Sequence, residues 1–203
     1  MRGKGLEVHA HAKRHSGFSL TELVVALAVA MILMAVGLPM FLRAYHSYEL
    51  TNAANQMRDI LLLTRYEAIR LNRSVTCVIQ PSATYPGMTN VWADSNGNGL
   101  LDPEEKMILL GTSGDLVNYA GVPNTTGLVV GAVGTMATTN PSPTGSQVLF
   151  DARGAVNPAT KLNAFYLASS VAPEAGFRAV LLLPAGSIQI WTCDTSGNWQ
   201  QVQ

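Results

Sequence analysis

Apolar and polar positions divide the chain into stretches with different periods. From residue 18 to residue 42, "FSLTELVVALAVAMILMAVGLPMFL", nearly every position is apolar and the single charge is Glu22. A run of roughly 25 such residues matches one helix crossing a bilayer core of about 30 Å. In the next stretch, "YELTNAANQMRDILLLTRYEAIRLN", apolar or small residues fall at Leu50, Ala53, Ala54, Met57, Ile60, Leu61, Thr64, Ala68 and Leu71. Intervals of three and four put them on one face of a helix, with Arg58, Asp59, Arg65 and Arg70 among the polar positions. A helix from Phe18 to about Asn72 would be on the order of 80 Å long at 1.5 Å per residue.

After Arg73 the period becomes two. Val75, Cys77 and Ile79 alternate in "VTCVI", and similar short runs follow at "KMILL", "SQVLF", "NAFYLA", "RAVLLL" and "SIQIW". Gly, Pro, Asn and Ser separate them, as expected of short strands joined by turns. The fold class is therefore α+β: a long N-terminal helix, half membrane-spanning and half amphipathic, packed on an antiparallel sheet. The segment between Gly121 and Gly145, rich in Gly, Thr, Pro and Asn, reads as a long loop in which "LVVGAV" could form a strand.

Charge adds an orientation. The 13 basic and 13 acidic residues cancel. Arg2, Lys4, Lys13 and Arg14 nevertheless precede the apolar run against Glu7 alone, which leaves a net charge of −3 beyond residue 17 and −4 beyond residue 73. A basic N-terminal flank keeps that end cytoplasmic and sends the rest outside. The acidic remainder lacks the basic footprint of a nucleic-acid binder. A conventional secretory signal could be cut at "ALAVA", residues 26–30. Such signals have apolar cores of about 7–15 residues, whereas here apolar character continues through Met31, Ile32, Leu33 and Met34.

The start of the apolar run is more specific. A short basic leader, Gly17, Phe18, then Glu22 as the fifth residue of the new chain and Pro39 farther along resemble the class III signal of type IV pilins and pseudopilins. The resemblance implies cleavage after Gly17 by a prepilin peptidase, methylation of the new amino terminus at Phe18, and packing into a filament. It implies four parts: a leader over 1–17, a transmembrane or filament-core helix over 18–42, an amphipathic stem over 43–73, and a periplasmic head over 74–203. Within the family, "LLLTRYEAIRLNRSVTCVI", "VLFDARGAV" and "FRAVLLLPAGSIQIWTCD" are most similar to the GspH/FimT group. Its members are low-abundance subunits that start or cap a type IV pilus or a type II secretion pseudopilus, in partnership with other pilins at the inner membrane.

A carboxylate in hydrocarbon costs a few kcal/mol or more, and pairing Glu22 with the ammonium of a neighbouring Phe18 would relieve that cost on assembly. Without a partner, an acid this near the helix end would reach interfacial water. Pro39, two residues after Gly37, lacks an N–H and should bend or locally open the helix. The resemblance makes this the point where the stem melts as it packs. Some members bind DNA through a basic motif after the glycine near the carboxyl end. Here Gly186 is followed by Ser187, Ile188 and Gln189.

Two further sets of residues could carry chemistry. "DSNGNGLLDPEE" fits the EF-hand loop template, with Asp94, Asn96, Asn98, the Leu100 carbonyl, Asp102 and Glu105 as calcium ligands around Gly99. Its flanks "TNVWA" and "KMILL" look like strands, so the other reading is a polar hairpin loop closed by Asx turns. Cys77 and Cys193, the two cysteines, would lie outside the cytoplasm, where a disulfide persists. A bridge would tie the first head strand to the last and contribute about 4 kcal/mol in the chain-entropy model; two buried thiols are the alternative. His9, His11 and His15 fall in the leader, and His46 stands alone in the stem. No Ser-His-Asp set, zinc spacing or phosphate loop is found, which argues against an enzyme. Three other functions are to be weighed: a DNA-uptake subunit, a non-polymerising single-pass calcium sensor, and a secreted hydrolase.

Overall fold

A computed structural model describes residues 18–85, 88–111, 117–119, 138–139, 146–159, 162–169, 172–194 and 198–202. The leader with Gly17, and all of Gly121 to Gly145 apart from residues 138–139, lie outside them. Helix α1 spans Leu20–Leu71. The chain divides into two compact units, Met1–Met40 and Phe41–Gln203, and α1 contributes to both.

In the first unit the helix starts where Ser19 supplies a cap: its Oγ accepts the Glu22 N–H at 3.2 Å and its carbonyl accepts the Leu23 N–H at 3.1 Å. Apolar side chains from Leu20 to Met40 are exposed. Such a surface on a helix of this length and composition is suited to a membrane. Pro39 lies inside the helix, so the carbonyl of Ala35 loses its helical donor.

The second unit is built around the stem stripe. Leu50, Ala53, Ala54, Met57, Ile60, Leu61, Thr64 and Ala68 are all buried, as their spacing predicts, and Leu71 is partly buried. Asn72 ends the helix with a left-handed φ of 49°, a conformation Asn adopts more readily than most residues.

Eleven strands follow among the described residues: β1 (Val75–Pro81), β2 (Thr89–Asp94), β3 (Met107–Leu110), β4 (Val117–Tyr119), β5 (Thr138–Thr139), β6 (Ser146–Phe150), β7 (Val156–Asn157), β8 (Leu162–Ser169), β9 (Phe177–Leu182), β10 (Ile188–Cys193) and β11 (Trp199–Val202). They form two sheets where the sequence reading expected one. The first has the order β3-β2-β1-β6-β7 and is antiparallel. The second has the order β11-β10-β9-β8-β4, antiparallel along that path, with β5 added in parallel to β8.

One core joins the helix to both sheets. It contains Val75, Cys77, Ile79, Val91, Val148 and Phe150 from the first sheet, and Phe165, Leu167, Val180, Leu182 and Ile190 from the second. Full burial of an aliphatic or aromatic side chain of this size contributes about 1.5–3 kcal/mol. The alternate residues of β8 and β9, Leu162, Ala164, Tyr166, Ala179 and Leu181, form a second cluster on the other face, against which Leu183, Trp191 and Trp199 pack. The second sheet is therefore apolar on both faces.

Candidate functional site

The residues singled out by the apolar leader boundary sit at the start of α1. Phe18 is exposed immediately before the helix, and Glu22 lies in its first turn. A carboxylate there interacts favourably with the positive end of the helix dipole. Gly37 has open space where a side chain would begin, so the segment from Gly37 to Pro39 lacks both a methyl contact and a backbone donor.

The 94–105 loop connects β2 and β3 as a hairpin, without flanking helices. Its side-chain oxygens are engaged by donors of the loop itself. Asp94 accepts the N–H groups of Gly97 and Gly99 at 2.7 and 2.8 Å. Asn96 and Asn98 turn their amide oxygens onto the N–H groups of Asn98 and Leu100, and both amide nitrogens donate to Asp102 Oδ2. Glu105 Oε1 accepts from Ser95 N–H at 2.8 Å, and its Oε2 from Asp102 N–H at 3.3 Å. The side-chain oxygens of the EF-hand template thus accept from donors of the loop, and the Asn96 and Asn98 amides meet at Asp102 Oδ2. Among the described residues no group of three or more His, Cys, Asp or Glu side chains could hold a metal ion. In this arrangement Asx turns close the loop. The loop is tied to the helix end by Arg73, whose guanidinium donates to the Ser95 carbonyl.

Both cysteines are free, buried thiols, and the bridge expected from the compartment is not formed. Cys77 lies on β1 in the first sheet and Cys193 at the end of β10 in the second, which is not the last strand. Complete burial pushes the Cys77 thiol up to about 12, slightly offset by a hydrogen bond with Thr64. Burial and the Asp194 carboxylate also hold Cys193 protonated, against the pull of Arg178. With the folded pKa of Cys77 raised, its contribution to stability is complete below the ordinary thiol range and declines as pH rises from about 9 toward 12. At pH 8 the expected result with iodoacetamide is no labelling of Cys77 in the folded chain and full labelling after denaturation. Mass spectrometry of the alkylated peptide checks this, and rapid labelling of the folded chain would refute the assignment.

Two features of the head were not singled out from sequence. Where the two turns cross, Gly154 lies between β6 and β7 and Gly186 between β9 and β10, and the Val156 N–H donates to Pro184 O at 2.9 Å across them. Arg65 of α1 covers this crossing and donates to the Ala185 carbonyl at 3.5 Å. The other feature is Arg178. It is 7% exposed, on β9, and its guanidinium meets neutral oxygens from α1 and from its own strand. Burial lowers its pKa from the ordinary arginine value, and Cys193 acts in the opposite direction. The available signal was a charge embedded in "FRAVLLL".

An apolar helix with an acid in its first turn and a β-sheet head packed on the same helix define a type IV pilin-like subunit. The pattern described as the prokaryotic N-terminal methylation motif matches residues 12–38. The pattern described as type II transport protein GspH matches residues 53–186, and the chain belongs to that family. Crystal structures of the Pseudomonas aeruginosa (strain PAO1) type IV minor pilin FimU in two space groups are similar. Each shows 16% sequence identity; one covers 77% of this chain and 94% of its own at a TM-score of 0.44, the other 74% and 97% at 0.41. Comparison with curated proteins gives no match.

Proposed function

We propose that the protein is a minor pilin or pseudopilin, made as a membrane-anchored precursor and incorporated into a type IV pilus or a type II secretion pseudopilus to initiate or cap its assembly. The observation that carries this reading is the methylation motif over residues 12–38, which brackets Gly17, Phe18 and Glu22 together with the start of the apolar helix. Prepilin peptidase cuts after Gly17 and Phe18 becomes the methylated amino terminus. The basic leader keeps that end cytoplasmic, the helix crosses the inner membrane once, and the head lies in the periplasm. Its partners are other pilins or pseudopilins. The acidic head and the sequence Gly186-Ser187-Ile188-Gln189 argue against nucleic acid as a partner. The protein works by assembly and recognition and makes no bonds of its own.

Mass spectrometry of the amino-terminal peptide from membranes and sheared filaments tests the reading. The expected peptide begins at methylated Phe18 in both fractions, and Gly17→Val leaves the leader attached. A peptide beginning inside the leader, or after Ala28 or Ala30, removes the pilin reading.

A further inference from the structure

We propose that Arg178, Ser47 and Thr51 form a latch that stops unwinding of α1 from passing residue 47. The guanidinium holds two consecutive turns of the helix at once. Nε donates to Thr51 Oγ1 at 3.2 Å, and Nη2 donates to Ser47 Oγ at 2.9 Å and to the Ser47 carbonyl at 3.5 Å. Nη1 is fixed from the strand side by the carbonyls of Phe177 and Ala175, at 3.0 and 3.3 Å. Thr51 Oγ1 itself donates to the Ser47 carbonyl at 2.9 Å. Ser47 O, the acceptor for the helical N–H four residues later, thus also receives a hydroxyl and a charged donor.

The latch lies at a boundary in the helix. Before it, Pro39 leaves Ala35 O without a donor, and the side chains of Phe41, Leu42 and Tyr45 remain exposed. After it, Leu50 is fully buried and the core stripe begins. A helix whose turns lack packing opens locally at low cost, and opening that starts at a proline spreads until it meets a turn held by other contacts. Arg178 supplies those contacts just before hydrophobic packing takes over. Among the described residues no carboxylate accepts from Arg178, so the buried cation is satisfied by the oxygens of Ser47 and Thr51 together with the carbonyls of Ala175 and Phe177. Unwinding at Ser47 would strip two of these acceptors from a buried charge, which makes the barrier steeper than a neutral hydrogen bond would.

Hydrogen exchange of the full-length chain in detergent micelles tests this. In the parent, amides 47–51 are expected to be protected and amides 40–43 to exchange quickly. In Arg178→Met, and in the helix-side double variant Ser47→Ala with Thr51→Val, amides 47–51 are expected to exchange about tenfold faster or more. Amides in the middles of β8 and β9 should be unchanged in the double variant, which keeps the readout local even if Arg178→Met is poorly folded. Arg178→Lys, which cannot span both turns with one planar fork, should restore little of the protection. Protection at 47–51 within twofold of the parent in the double variant overturns the latch. So does a loss spread evenly through α1 and both sheets, which would make Arg178 a general stability residue.

Discussion

Glu22→Ala is expected to be processed normally at Gly17 and to be recovered in sheared filaments at about one tenth of the parent level or less. In the proposed function, processing depends on the residues around Gly17, which the substitution leaves intact, so membrane fractions should contain the same methylated Phe18 peptide. Incorporation depends on a different property. In the proposed filament a neighbouring subunit would bring a charged amino terminus into an apolar surround, and without a carboxylate that ammonium would have no counterion. Glu22→Gln isolates the charge, since it preserves the length and shape of the side chain and one acceptor oxygen, and should fail nearly as badly. The filament-to-membrane ratio measured by quantitative mass spectrometry separates the cases. Parent-like recovery of either variant would leave Glu22 as an acid that merely stabilises the first helical turn, as its position near Ser19 allows.

The second large effect is expected in the head. Gly186 has a φ of +79°, and a Cβ built on it would lie 2.0 Å from the backbone oxygen of Gly154. Gly186→Ala therefore combines left-handed backbone strain with a collision against main chain that cannot rotate away. A loss of about 3 kcal/mol is expected, which for a chain of this size lowers the thermal midpoint by roughly 6–12 °C. Gly97→Ala is the control: its φ is +81°, but the space around its Cβ is open, so it incurs strain alone, about 1 kcal/mol. Thermal unfolding of the full chain in detergent, followed by circular dichroism, measures both. A Gly186→Ala midpoint as high as that of Gly97→Ala would mean that the two turns separate without cost.

The amphipathic stripe was legible because burial on a helix is reported by spacing alone, and every buried position of the stem had been read from that spacing. Strands β1, β3, β6, β8, β9 and β10 were legible for a similar reason, each being an apolar run closed by turn residues. Strand β11 was not: Gln200 and Gln201 are exposed, and its pairing with β10 is a backbone property that its side chains do not announce. The division into two sheets depends on contacts between distant segments and has no local signature. Arg178 was missed because an arginine beside apolar residues reads as the solvent face of a strand, whereas β9 is covered on both faces and its charge is turned onto helix oxygens. The 94–105 loop matched its ligand template correctly by residue type. What the template does not convey is the set of Asx turns by which the same residues close the hairpin, with the Asn96 and Asn98 amides meeting at Asp102.

The shared core also determines where this chain can be shortened for solution work. Both sheets bury an inner face on the same helical stripe, from Leu50 to Ala68. A fragment starting at Arg43 discards the membrane segment and retains Ser47 with the whole stripe. One starting at Val75 would expose the apolar floors of two sheets together, and its expected fate is aggregation. The stem is thus the central layer of the head, and a soluble version needs the helical residues 43–71 that a strand-only boundary would remove.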